Sequence, residues 1–286
     1  MDPAVLLIER SLKKKVSSVA PVGGGSISTA MKATLEGGES IFAKVSPQTK
    51  DMFFKEANGL LELAKASAIK VPRIFFVDEE ILILEYLSSS SASDKKKFFE
   101  EFGRQFARLH RFTSGSFGFT EDNYIGSTPQ KNMPRSSSWR NFYLSHRLQI
   151  QFRLAEKNGY ADSRLAALFG ALERRIDDLI PDDGELPCLL HGDLWQGNFL
   201  CIGDNMPVVV DPAVYYGHRE ADLAMTLLFG GFGDSFYSAY REAWPLNPGW
   251  QRRMELYKLY HLFNHLNLFG EGYYGQVAAT MKDLGC

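Results

Sequence analysis

Cysteine is scarce in this chain: 286 residues hold three, Cys188, Cys201 and Cys286. No two are close in sequence, so neither a disulfide framework nor a zinc site is indicated. An excess of charge is missing too, and a net charge of −2 argues against an electrostatic footprint for nucleic acid. The basic clusters Lys13-Lys14-Lys15 and Lys95-Lys96-Lys97 fall on expected helices beside acidic residues and read as solvated faces. No apolar run approaches the ~20 residues that cross a bilayer. The first residues lack a basic stretch leading into an uncharged apolar core, so no secretion signal is expected and a reducing cytoplasm is the expected compartment. There is no internal repeat. What is present is ordinary for a globular protein with a sizeable core: 45% hydrophobic and 23% charged residues, at a length suited to one large domain or two small ones.

In chain order, the apolar spacing over 2–16 predicts an amphipathic helix with Pro3 in its first turn. Val22-Gly23-Gly24-Gly25-Ser26 then turns into expected strands over 29–35 and 40–45, with Lys44 near the end of the second. A strand–glycine turn–strand followed by a lysine lets backbone amides of Gly24, Gly25 and Ser26 approach phosphates while the ammonium reaches the same anion. No Lys-Ser or Lys-Thr closes the glycine run, which excludes a P-loop. A helix is expected over 52–66, where Glu56 is either one more surface acid or the anion that orients Lys44. Strands over 71–77 and 81–84 follow, the second almost wholly apolar and hence expected to be central. The serine-rich run 88–93 is the best linker. It divides the chain into a nucleotide-binding lobe, 1–87, and a helical lobe, 88–286, carrying the catalytic loop and substrate site.

Beyond the linker, Asp94 is expected to cap a helix rich in phenylalanine, and a loop over 114–135 contains DNYIGSTPQKN. Helices are expected over 139–155 and 163–180. His-Gly-Asp at 191–193 ends an apolar strand, Asn198 lies five residues after Asp193, and Asp211 follows a hairpin. Asp222 sits inside an apolar helix start, a costly place for an acid unless a neighbouring loop donates backbone N–H groups to it, so it reads as structural. His261 and His265 are one helical turn apart but lack a third ligand, so packing is expected rather than metal. His110, at a helix end, reads the same way.

An acid followed five residues later by Asn, then by a second acid beyond a hairpin, suits phosphoryl transfer. Asp193 would take the acceptor hydroxyl's proton. Asn198 and Asp211 would supply hard oxygen ligands for Mg2+. Lys44 would neutralise the phosphates of ATP, and the backbone of Glu85, Tyr86 and Leu87, at the lobe junction, would read an adenine edge.

The motif order resembles the protein-kinase-like superfamily, in the His-Gly-Asp branch that holds aminoglycoside and choline kinases. HGDLWQGN, DPAVYYGHREADLAMTLLFGGF, DNYIGSTPQKN and LYHLFNHLNLFG resemble, more narrowly, the fructosamine-3-kinase (ketosamine-3-kinase) family. The resemblance implies an α+β, bilobal protein-kinase-like fold: a small β-rich N-lobe with one helix, and a larger, mostly helical C-lobe. It also implies ATP-dependent phosphorylation of the 3-hydroxyl of a fructosamine or related ketosamine, which yields an unstable 3-phosphate and hence deglycation. Asp193 then matches the proton acceptor and 85–87 the adenine-binding segment. Trp195, beside the base, could stack on the sugar or its amine substituent. His218, Arg219 and Glu220 are weaker substrate-side candidates, with Arg219–Glu220 open to reading as an internal ion pair. Some family members carry a cysteine in the glycine turn that supports redox-sensitive dimers; Ser26 stands there in this chain, so that switch is expected to be absent and a monomer or weak homodimer is expected. The competing readings are a kinase of another small hydroxyl (aminoglycoside, choline-like alcohol or sugar) and a nucleotide-binding scaffold without catalysis. Against the latter, Lys44, Asp193, Asn198 and Asp211 are all chemically competent.

Overall fold

The computed structural model describes residues 2–23, 29–46, 51–180 and 184–286. Gly24, Gly25 and Ser26 therefore lie outside the described residues. The chain opens with α1 (Pro3–Leu12), capped by the Asp2 carboxylate, which accepts from the Ala4 amide at 2.9 Å. Lys13 ends the helix in the left-handed region, φ 53°. Here the structure departs from the expected helix over 2–16, because β1 (Val16–Pro21) begins within that span. β1 is an exposed edge strand, and its polar Ser17 and Ser18 left no alternation to read.

β2 (Thr29–Leu35), β3 (Ser40–Val45), β4 (Ile74–Val77) and β5 (Ile81–Glu85) complete an antiparallel sheet in the order β1-β2-β3-β5-β4. β5 is internal, and its unbroken apolar run has a direct cause. Ile81 and Ile83 pack with Ala4 and Ile8 of α1 on one face, while Leu82 and Leu84 pack with Phe53, Ala57 and Leu60 of α2 (Met52–Lys65) on the other. With α1 and α2 both on the sheet, the N-lobe holds two helices rather than one.

The larger, helical part is organised on α3 (Lys95–His110), whose first turn is capped by Asp94 accepting from Lys97 N–H at 3.0 Å. Its Phe98, Phe102 and Phe106 join a continuous aromatic cluster with Phe199, Phe232 and Phe236. α3 crosses α9 (Asp234–Ala243) at Gly103, where an added Cβ would lie 2.3 Å from the Phe236 carbonyl oxygen. Gly103→Ala is therefore expected to destabilise the protein by about 1–3 kcal/mol through overpacking, read as a lowered midpoint in a thermal melt.

The loop over 114–135 is ordered around a short hairpin, β6 (Asn123–Ile125) and β7 (Thr128–Gln130). The helix expected over 139–155 is α4 (Trp139–Tyr143), one π-helical turn (Leu144–Leu148) and α5 (Gln149–Lys157). α6 (Ser163–Arg174) and α7 (Ile176–Leu179) follow. The His191–Asn198 stretch leaves β8 (Cys188–Leu190) and passes the hairpin β9 (Phe199–Ile202)–β10 (Met206–Val209). It returns as β11 (Tyr215–Gly217), antiparallel to β8. α8 (Arg219–Leu228), α10 (Trp250–Phe269) and α11 (Tyr274–Asp283) close the fold. Among the described residues no helix is long and apolar enough to cross a membrane.

Candidate active site

Lys44 projects from β3, nearly buried, and its ammonium donates to Glu56 at 2.8 Å and to Asp211 at 2.5 Å. Burial alone would drive its pKa down, but the two carboxylates hold it well above the usual lysine range. Burial, reinforced by the Asp211 charge, pushes Glu56 up to about 7 against the pull of Lys44. The spacing left Glu56 between surface acid and lysine partner, and the structure makes it the partner.

The helix that carries Glu56 is fastened to the larger part of the protein. On α2, Lys55 and Asn58 both donate to Glu121, at 2.6 and 2.7 Å. At its two ends, the Tyr124 hydroxyl donates to Asp51 at 2.6 Å and the Tyr216 hydroxyl donates to Glu62 at 2.7 Å. A Cβ on Gly59 would come within 3.2 Å of Pro212 and 3.3 Å of Val214, so the helix backbone lies directly on the segment after Asp211.

Asp193 and Asn198 belong to one loop. The Asn198 amide donates to the Asp193 carbonyl at 2.8 Å and to its carboxylate at 3.3 Å. Burial, with the charges of Asp211 and Asp222 nearby, pushes the Asp193 carboxyl well above the usual range. His191 stitches this loop to the next: its Nε2–H donates to the Val210 carbonyl at 3.0 Å, leaving Nδ1 to accept from the Asp193 amide at 3.3 Å. Gly192 has φ +84°, and a Cβ there would lie 2.0 Å from the Ala213 carbonyl oxygen, so no larger residue fits between the two strand ends. Asp211 itself adopts φ +55°, a strained position for a non-glycine residue that the surrounding bonds hold in place.

Asp222 anchors the loop from beneath, with its carboxylate accepting from His191 N–H at 2.7 Å and Gly192 N–H at 2.8 Å. His110 completes it. Its Nε2–H donates to Asp222 at 3.2 Å while Nδ1 accepts from the Tyr240 hydroxyl at 2.7 Å. Although burial works to raise it, these hydrogen bonds and the neighbouring imidazoles hold Asp222 below the usual carboxylate range. Burial lowers the pKa of His110 and keeps the ring neutral.

Sequence reasoning missed the brace on the Asp211 side. Gln130 donates to the Ala213 carbonyl at 3.0 Å, Asn123 donates to the Val214 carbonyl at 2.8 Å, and the Tyr260 hydroxyl donates to Gln130 at 2.8 Å. The signal was there as amide side chains in an aromatic-rich loop, since buried amides need partners.

Other candidates are placed differently. Glu85 uses its N–H on the Arg73 carbonyl at 2.8 Å and its carboxylate on Lys70 and the Arg73 amide, so neither group is open to a ligand. Trp195 is 40% exposed at the mouth of the loop. A Cβ on Gly197 would lie 2.4 Å from its ring, which fixes the indole over a bare backbone.

His218, expected on the substrate side, is instead buried as the cap of α8, stacked on Trp139 and 3.4 Å from Glu185. Arg219 and Glu220 do not pair with each other. Arg219 binds Glu185 at 2.7 Å and Glu220 binds Arg253 at 2.6 Å, partners too distant in sequence to be seen there. His265 donates its Nδ1–H back to the His261 carbonyl at 2.8 Å. Among the described residues no three His, Cys, Asp or Glu side chains form a metal cluster. Magnesium asks for less, one or two carboxylates alongside water and phosphate oxygens, and the amide oxygen of Asn198 with the Asp211 carboxylate is a donor set of that hard-oxygen kind.

The fructosamine kinase family model matches residues 2–285. A chloroplastic protein-ribulosamine 3-kinase from Arabidopsis thaliana is 38% identical over 277 residues, covering 94% of this chain and 83% of the relative. The ketosamine-3-kinase of Mus musculus is 34% identical over 311 residues, covering 97% and 98%. A crystal structure of a candidate fructosamine-3-kinase from Thermobifida fusca YX-ER1 matches with a TM-score of 0.91 at 33% identity, covering 99% of both chains. A thermostable mutant of aminoglycoside phosphotransferase APH(4)-Ia, in a ternary complex with AMP-PNP and hygromycin B, matches with a TM-score of 0.67 at 14% identity over 98% of this chain and 97% of its own, a likeness of fold alone.

Proposed function

The chain belongs to the fructosamine kinase family, and on that premise we propose that it transfers the γ-phosphoryl group of ATP to the 3-hydroxyl of ketosamines. The observation that carries this reading is the convergence of Lys44, Glu56 and Asp211 beside the Asp193–Asn198 loop, in a chain similar to ketosamine and ribulosamine 3-kinases. ATP would supply the phosphoryl group, and Asn198 and Asp211 would hold Mg2+, which would supply charge neutralisation.

The protein's own groups do the rest. Asp193 accepts the proton of the sugar 3-hydroxyl as that oxygen bonds to phosphorus and the β–γ bridge bond breaks, releasing ADP. A carboxylate whose proton affinity is raised by burial and by Asp211 is better matched to that task than an exposed one. Lys44, kept charged by its two carboxylates, would lie against the phosphates. Residues 1–87 act as the nucleotide lobe and 88–286 as the lobe bearing the catalytic loop and sugar site. We place the enzyme in the cytoplasm, where its three free thiols persist, as a monomer or weak homodimer acting on a small glycated amine.

Turnover of ATP with a synthetic fructosamine, a ribulosamine and an aminoglycoside, with the phosphate position assigned by NMR, tests the assignment. Phosphate on O3 of a ketosamine is expected; turnover of the aminoglycoside alone would overturn it. Lys44→Met is expected to raise KM for ATP by at least ~10-fold, the loss of one hydrogen bond to a charged group, and an unchanged KM would remove Lys44 from the phosphate site.

A further inference from the structure

Arg147 lies in the π-helical turn Leu144–Leu148 and is fully buried. Among the described residues it pairs with no carboxylate. Its guanidinium donates to the carbonyls of Lys131 and His146 and, at 2.8 Å, to Asn132 Oδ1, and its Nε–H is buried without a hydrogen-bond partner. The guanidinium carbon stands 4.0 Å from the centre of the Tyr215 ring, 4.9 Å from that of Phe142 and 5.4 Å from that of Tyr260. Burying a cation without a counter-ion is costly, and an apolar side chain of similar volume would fill the space more cheaply. Single π-turns inside α-helices recur at functional sites. A cation kept in such a place has to do something that an apolar side chain cannot.

A guanidinium only donates, so it dictates which way a neighbouring amide must face. Asn132 gives its oxygen to Arg147 and therefore turns its Nδ2 toward Asn123 Oδ1, at 2.9 Å. Asn123, its oxygen taken, donates Nδ2 to the Val214 carbonyl at 2.8 Å. Gln130 is set the same way: Nε2 donates to Asn123 Oδ1 at 2.8 Å and to the Ala213 carbonyl at 3.0 Å, while Oε1 accepts from Tyr260. All three amides are buried, so flipping any one would set unpaired donors or acceptors face to face. The two carbonyls they hold lie just beyond Asp211, whose left-handed φ of +55° persists only if its neighbours are fixed.

We propose that Arg147 is a positioning residue for the phosphoryl transfer: by fixing the direction of the Asn132–Asn123–Gln130 chain, it holds the backbone after Asp211 and with it the carboxylate that would bind Mg2+. The inference rests on the kinase reading of the site. Arg147 acts through Asp211 and not on the sugar, so its loss weakens metal–nucleotide binding and turnover but not the hold on the ketosamine.

The test compares the wild type with Arg147→Met, Arg147→Lys and Asn132→Asp. It reads the Mg2+ concentration for half-maximal turnover of fructosyl-lysine, KM for that sugar, and the rise in melting temperature that Mg·ADP confers. Arg147→Met is expected to raise the Mg2+ requirement about 10-fold, the lower range for losing a group that orients a metal ligand, and to shrink the Mg·ADP shift. KM for fructosyl-lysine is expected to stay within about 2-fold. Arg147→Lys, which can still donate to Asn132, should come within about 3-fold of the wild type. Asn132→Asp gives Arg147 a counter-ion, so the unliganded protein stays folded, but it cannot donate to Asn123 and is expected to show the same about 10-fold Mg2+ shift. An unchanged Mg2+ requirement in Asn132→Asp would overturn the proposal. So would an Arg147→Met protein with a lowered unliganded melting temperature but the full Mg·ADP shift. A wild type that Mg·ADP does not stabilise would instead sink the nucleotide-site reading, and the role of Arg147 with it.

Discussion

Asp193→Asn lowers kcat by about 100-fold or more, the lower range for loss of a general base, and leaves ATP affinity near that of the wild type. Asn fills the same volume and still meets the Asn198 amide through its oxygen, but it has no proton affinity to offer the sugar hydroxyl. Steady-state kinetics beside direct nucleotide titration reads both halves, and full turnover in the variant would take Asp193 out of the mechanism. A second effect has the opposite sign. The folded pKa of Asp193 lies above its unfolded value, so its contribution to stability is favourable below the unfolded pKa and is lost as pH rises through the folded one. Above the unfolded pKa the buried carboxyl opposes folding, and the neutral amide should raise the melting temperature while it depresses activity. That pairing marks a site selected for chemistry over stability.

Asp222→Ala removes the acceptor for two backbone amides and leaves His110 without its carboxylate, all of them buried. Stripping one partner from such a group costs about 3–5 kcal/mol. In a protein of this size the midpoint is expected to fall by on the order of 10 °C, with activity lost as the His191–Asp193 backbone loses its anchor. The pH dependence follows from the lowered pKa. Asp222 stabilises the fold above about pH 4, the unfolded value, and that contribution disappears as pH falls through the lower folded value. The gap between wild type and variant is therefore widest near neutrality and narrows in acid. A variant melting with the wild type at pH 7 would show the anchor to be dispensable.

The motifs readable from sequence are those whose spacing is local. Asp193 and Asn198 lie five residues apart on one loop, and Asp211 follows the apolar run Val208-Val209-Val210 that closes a hairpin. β5 announced itself because both of its faces are covered. What stayed hidden depends on partners distant along the chain. Glu185 and Arg253 neutralise the polar run at 218–220 and bury it, so a cluster that looked substrate-facing is part of the interior. Periodicity could not reveal Gln130 and Asn123 as braces, because their acceptors are carbonyls 83 and 91 residues on. β1 was lost to the helix before it because an exposed edge strand has no buried face to impose a pattern.

The bonds that fasten α2 to Glu121, Tyr124 and Tyr216 tie the small sheet to the larger body. Through Phe53, Ala57 and Leu60 the same helix packs on Leu82 and Leu84 of β5, so it is shared between the two parts and holds Glu56 against Lys44 from both sides. Switching such an enzyme off by rotating that helix outward would require breaking four side-chain bonds at once, and so its control has to come from elsewhere than helix displacement.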